Sequence, residues 1–497
     1  MKPGRPGNCE HPPPVLQLIL NVPRLFYLSF AMVLAAAMLC KTGIRYSFND
    51  NEGWNAFWAA VTWDGSDLYP DASSLKLNNY LPPWFYATGA LGRLTGDNIQ
   101  AGRILAGAAL LLNAVVISVI VREITGRGRS CWFAGVVFLS ISGIFYGDYA
   151  AINDPQLAAN LFMTISILLF IRRLDGPSCV TMGWFAVALL LFGGLMKHNV
   201  IAVPISISIF LILFHWGAFV SFAARSAIAF AIACAALYVI HGPNLFSSVL
   251  FTRPYDVAVA WAQSKDQLAQ YSLFLLVIPY LALQPSRKER FILVYSVVSL
   301  IQGAALSGTF DVDVNVFFDF AVSISIGLGL MENSILESIR RGSGRFRNGF
   351  SAAAWLGVAL LPSAFSLQSG ITEIRRAVSA ETDVAQQADL AYIKSIGGHV
   401  ICENHAFCYW AGKEFEVDLN NIKLLVLGKP ELELEFIADI ANCSYALIQL
   451  NDDWNDEHDG PFTAKIIDAL ERHYTEESER ETDFAVYLIP SHCSKRN

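Results

Sequence analysis

Four polar clusters interrupt an otherwise apolar chain, and their residue types could do chemistry. In "YSFNDNEGWNAFWAAV", which begins at Tyr46, Asp50 and Glu52 follow the first long apolar run. Carboxylates at the rim of a membrane cavity are partly desolvated. Desolvation raises their pKa and suits them to take a proton from a hydroxyl. A plainer reading is a capping box, with Asn49 and Glu52 opening a helix and stabilising it by about 1 kcal/mol. "YGDYAAINDPQLAANLF" supplies Asp148 and Asp154, and Asp154 before Pro155 also reads as a helix cap, a role compatible with a place beside a cavity. Lys197 in "GLMKHNVIAVP" is either a snorkelling side chain or a lone cation for an anionic ligand such as a phosphate; His198 beside it reads as a satisfied polar group. "SGTFDVDVNVFFDF" holds Asp311 and Asp313, whose alternation offers oxygen ligands to a divalent cation but is more simply explained by solvated loop acids. In the same segment Asn315 and Asp319, four apart, would share one helix face.

The elements that must hold these groups are membrane helices. Of 497 residues 54% are hydrophobic and 16% charged, with a mean hydropathy of +0.42, too apolar for an ordinary water-soluble chain. Runs long enough to cross a hydrocarbon core recur from Leu25 to Ser366, and by length there are about eleven. The first run has no cleavage pattern behind it and reads as a retained span. Basic connections at Arg122, Arg127 and Arg129, at Arg172 and Arg173, near Arg225, at "SRKER" and from Arg340 to Arg347 are expected to face the cytoplasm. Acid-bearing connections, including the long first loop from 45 to 100, should face outward. Lys197 is an exception to that pattern. In the first loop "GWNAFWAAV" and "WFYATGALGRL" read as interfacial helices with Trp54, Trp58, Trp84 and Tyr86 in an aromatic belt, separated by the rigid "NNYLPPW" break.

The tail differs in kind. From Arg375 onward there are 23 acidic and 11 basic residues, against 20 and 24 before it. Helices are predicted near 373–396, 431–441 and 463–473, and strands at 399–403, 423–428, 445–450 and 484–489, giving a small mixed or parallel sheet. Its four cysteines, Cys402, Cys408, Cys443 and Cys493, could make two disulfides of undetermined pairing. His399, Cys402, His405 and Cys408 recur at every third residue but lack the paired knuckles of a zinc site, so a disulfide or packing is preferred. No Gly-rich phosphate loop is present, and nothing points to nucleic acid.

In this order, "NDNEGWNAFWA", "NNYLPP", "NDPQLAANLF", "LMKHN" and "DVNVFFDF" resemble the GT-C superfamily of polytopic glycosyltransferases, over residues 25 to 366. The nearest resemblance is to the bacterial branch of protein O-mannosyltransferases and lipid A aminoarabinose transferases. It implies an all-α membrane domain (25–368) with interfacial helices in its first outer loop, preceded by a cytoplasmic tail (1–24) and followed by an extracytoplasmic α/β domain (369–497). It implies an inverting transfer from a polyprenyl-phosphate sugar to an envelope lipid, glycan or protein on the outer face of a bacterial inner membrane. Asp50 then matches the family's base, with Glu52 next to it. Asp154 supports the acceptor site, Lys197 lies near the leaving phosphate, and Asn79, Tyr80, Asp148, His198, Asn315 and Asp319 belong to the cavity. Asn51 separates two acids that relatives often keep adjacent, leaving open which is the base. No cofactor is assigned, and a divalent cation remains open. The rival readings are a transporter or lipid flippase, disfavoured because charge collects at one rim, and a silent scaffold.

Overall fold

The computed structural model describes residues 14–493 other than position 72 and the stretches 127–130, 175–181, 311, 341–348, 457–459 and 478–484. Among the described residues seven helices are long and apolar enough to cross a membrane, the longest being Asn98–Thr125. Three shorter apolar helices, Trp132–Phe145, Trp184–Met196 and Ala202–Phe214, lie between them. In hydrocarbon only a helix satisfies its own backbone, which is why apolar runs of this length take that form. The chain is a multi-pass membrane protein.

Helices α1 (Pro14–Gly43), α2 (Asn51–Asp64), α3 (Pro83–Thr95) and α4 (Asn98–Thr125) frame the first loop. The "NNYLPPW" break acts as expected: Pro83 occupies the first turn of α3, where its missing N–H costs nothing. The expected aromatic belt does not form, however. Trp54, Trp58 and Trp84 are only 3%, 2% and 1% exposed. They are buried because α2 packs against α3 and α4 on one side and is covered on the other by a C-terminal helix, His405–Ala411. Gly53 permits that contact. A Cβ at this position would sit 2.0 Å from the backbone nitrogen of Ala406.

The helix Gly349–Val378 runs through the expected boundary at 368 before the α/β region begins. That region holds β1 (Val400–Cys402), β2 (Leu447–Leu450), β3 (Tyr474–Glu476) and β4 (Val486–Pro490) in the order β1-β2-β4-β3. β1 pairs parallel with β2, and the other pairs are antiparallel. Alternating side chains feed two cores. Ile401, Ile448 and Leu488 join Phe436, Ile466 and Leu470, whereas Val400, Leu447 and Tyr487 join Ile393, Phe407 and, from α2, Phe57. The segment predicted as a strand at 423–428 is instead a helix, Ile422–Gly428. Ile422, Leu425 and Val426 point into one core while Leu427 is exposed, a helical spacing hidden within a short apolar run. The edge strand β3 is short and polar and carries no sequence signal for a strand.

Disulfides Cys402–Cys408 and Cys443–Cys493 fasten this region. The first ties β1 to the helix that covers α2, and it leaves neither cysteine as a metal ligand.

Candidate active site

A cavity of about 740 Å³ lies where the first loop, the turns between membrane helices and the α/β region meet. Asp50, Asn79, Tyr80, Lys197, His198 and Asn315, all singled out in the sequence, line it.

Asp50 stands at the start of α2 and is exposed to the cavity. Its position is fixed from below by Glu52, which is fully buried and does not line the cavity. Arg103 of α4 grips both Glu52 oxygens at 2.7 Å, through Nε and Nη2. Its remaining N–H groups donate to the carbonyls of Lys41, Ile44 and Tyr46, at the end of α1 and just beyond. The backbone N–H groups of Phe48 and Asn153 also donate to Glu52. The expected capping box is therefore altered: Glu52 receives Phe48, and Asn49 Oδ1 receives Asn51 N. Every acceptor position of Glu52 is directed into this structural knot, which corrects its expected catalytic place.

Lys197 lies between Trp184–Met196 and Ala202–Phe214. Asp154 holds its ammonium at 3.0 Å through both oxygens, while Oδ1 of the same aspartate accepts from Gln156 N at the start of the next helix. Cap and site support are thus one residue. The ammonium sits 5.3 Å from the centroid of the Tyr80 ring. Asp154 itself is buried behind Lys197, and Asp148 is exposed away from the cavity. Asp319 is buried in the helix bundle, accepting from Tyr295 and Asn160. Asp313 lines the cavity, accepts the Tyr149 hydroxyl at 2.9 Å and caps Val314, whereas Asp311 lies outside the described residues.

Sequence reasoning missed two contributions. Arg253 lines the cavity and donates to the carbonyl of Phe310. It too is a cation on a connection expected to face outward, so the reasoning applied to Lys197 would have found it. The second is a wall from the α/β region: Glu403, Asn420, Asn421, Lys423, Asn451 and Asp453. Nothing in the sequence places that wall against Asp50, because the docking depends on the Gly53–Ala406 contact. Glu403 is 7% exposed and accepts from the backbone and side-chain nitrogens of Asn451. Burial pushes its carboxyl up to about 7, opposed by the Asn451 bonds and reinforced by Asp50 and Asp453.

The crystal structure of ArnT from Cupriavidus metallidurans bound to undecaprenyl phosphate superposes with a TM-score of 0.59 at 10% identity, over 95% of this chain and 99% of that one. The apo oligosaccharyltransferase of Archaeoglobus fulgidus superposes at 0.51 and 12% identity, over 90% of this chain and 73% of that one. The fold is GT-C. No family model matches the sequence, and no curated protein is significantly similar to it. At such identities the likeness concerns architecture.

Proposed function

We propose that this GT-C protein moves a sugar from a polyprenyl-phosphate donor to an acceptor hydroxyl on the outer face of a bacterial inner membrane, with inversion. Asp50 takes the hydroxyl proton. The acceptor oxygen bonds to the anomeric carbon as the bond from that carbon to the phosphate oxygen breaks, its electron pair leaving on the polyprenyl phosphate. Lys197 and Arg253 stabilise the developing charge. A single displacement needs no protein nucleophile. Asp154 holds Lys197 in place, and Arg103 with Glu52 holds the start of α2. The N-terminus lies in the cytoplasm and the α/β region (369–497) outside, a placement that the two tail disulfides support, since such bonds persist in oxidising compartments.

The observation that carries this reading is that Asp50 and Lys197, 147 positions apart in the numbering, open onto one chamber. Its test is donor turnover by the full chain in lipid nanodiscs, followed as released polyprenyl phosphate. Asp50→Asn should cut transfer by roughly 100-fold or more while leaving the protein folded, the scale of a lost general base. Near-normal activity in that variant would dismiss Asp50 as the base. Lys197→Ala should raise the KM for donor more than that for acceptor, and an equal rise in both would count against a phosphate contact.

A further inference from the structure

Charges of both signs line the cavity: Lys197, Arg253 and Lys423 are cationic, and Asp50, Asp313, Glu403 and Asp453 are acidic. His198 lies in the fields of Lys197 and Arg253, so these two cations share one side. Glu403 lies in the fields of Asp50 and Asp453, so three carboxylates share another. Lys423, on the α/β wall, donates to the carbonyl of Gly460. An anionic acceptor beside Asp50 would meet the like charge of Asp50 and Asp453, opposed by Lys423 on the same wall.

The same wall carries a built polar surface. Asn421 is 4% exposed; its Nδ2 donates to Asp418 at 2.9 Å, and its Oδ1 is buried with no donor. A buried amide oxygen left in this state is costly and calls for a ligand N–H or O–H. Glu403 and Asn451 add planar groups able to serve adjacent hydroxyls, and Trp54 and Tyr80 line the cavity with aromatic rings set edge to face, their centroids 5.1 Å apart. Planar polar groups beside aromatic rings suit a sugar ring, which presents hydroxyls at its edge and C–H groups on its face.

Building on the proposed glycosyl transfer, we infer that the α/β region forms the acceptor subsite. Glu403, Asn421 and Asn451 are its specificity-determining residues, and its acceptor is an uncharged, hydroxyl-rich glycan rather than a phosphate or a peptide. Glu403 and Asn421 orient the acceptor, and Asp50 deprotonates it.

The test uses the full chain in nanodiscs with a panel of polyprenyl-phosphate monosaccharides and three acceptor probes: dodecyl maltoside, dodecyl phosphate and a Ser/Thr peptide. Transfer should favour dodecyl maltoside. Glu403→Ala and Asn421→Ala should each raise the KM for dodecyl maltoside about tenfold, as expected for one lost hydrogen bond. Donor KM should stay unchanged, and Glu403→Gln should restore most of the loss. Asp453→Asn, an exposed change that leaves the fold intact, should shift the acceptor ratio toward dodecyl phosphate. Preference for the phosphate or the peptide, a parallel rise in donor KM, or an unmoved ratio in Asp453→Asn would overturn the inference. A wild-type protein that consumes no donor defeats the glycosyltransferase reading itself; one that consumes donor but prefers another acceptor defeats only this subsite.

Discussion

Arg103 directs five N–H donors at two Glu52 oxygens and three carbonyls, which is all the hydrogen bonding a guanidinium can offer. Both partners are buried, so the pair holds the end of α1 to the start of α2 and thereby aims Asp50. Removing one partner leaves an uncompensated charge. Arg103→Leu should destabilise the protein by roughly 3–5 kcal/mol, read as a lowered unfolding midpoint in detergent. A midpoint within error of wild type would show that the pair is not structural. The sequence marked Asp50 and Glu52 as one feature because they are two residues apart. Opposite faces of a helical turn separate them into a cavity residue and a core residue, and no spacing rule distinguishes those roles before the partner, Arg103, is known.

At the scale of elements, the helices of the membrane part could be read from their apolar length, and β1, β2 and β4 from β-branched runs. The contact between α2 and His405–Ala411 could not, because it joins residues some 350 positions apart and nothing in the motif around Gly53 marks its partner. Gly53→Ala should abolish that fit, since the clashing atom is backbone and cannot rotate away. Limited proteolysis is the measurement: faster release of the α/β region is expected, and an unchanged cleavage pattern would show that the two parts dock by other means. The Cys443–Cys493 bridge closes a separation of 50 residues. Loop-closure entropy puts its loss near 4 kcal/mol, so a Cys443→Ser, Cys493→Ser double variant should unfold the tail at markedly lower denaturant concentration.

For the whole molecule, the interface between membrane part and tail contains groups that titrate in opposite senses. Asp418 accepts Trp54 Nε1 and Asn421 Nδ2, and burial holds its carboxyl up to about 7. The folded form binds that proton more tightly than the unfolded chain. Its stabilising contribution is therefore complete below about 3.8 and lost as pH rises through about 7. His405, 3.7 Å from Asp418, is depressed to about 3 by burial, and its contribution is lost as pH falls from 6.5 toward that value. Unfolding midpoints between pH 4 and 8 should show Asp418→Asn declining less than wild type on the alkaline side. Equal slopes would exclude Asp418 as a source of that dependence.

Because residues near position 405 seal a helix made near position 55, a ribosome must add some 350 further residues before α2 meets its last neighbour. Until the helix His405–Ala411 docks, Phe57 and Gly53 lack their final cover. A nascent or truncated chain would thus present an unfinished apolar seam to cellular proteases, so survival of the membrane part is tied to completion of the tail.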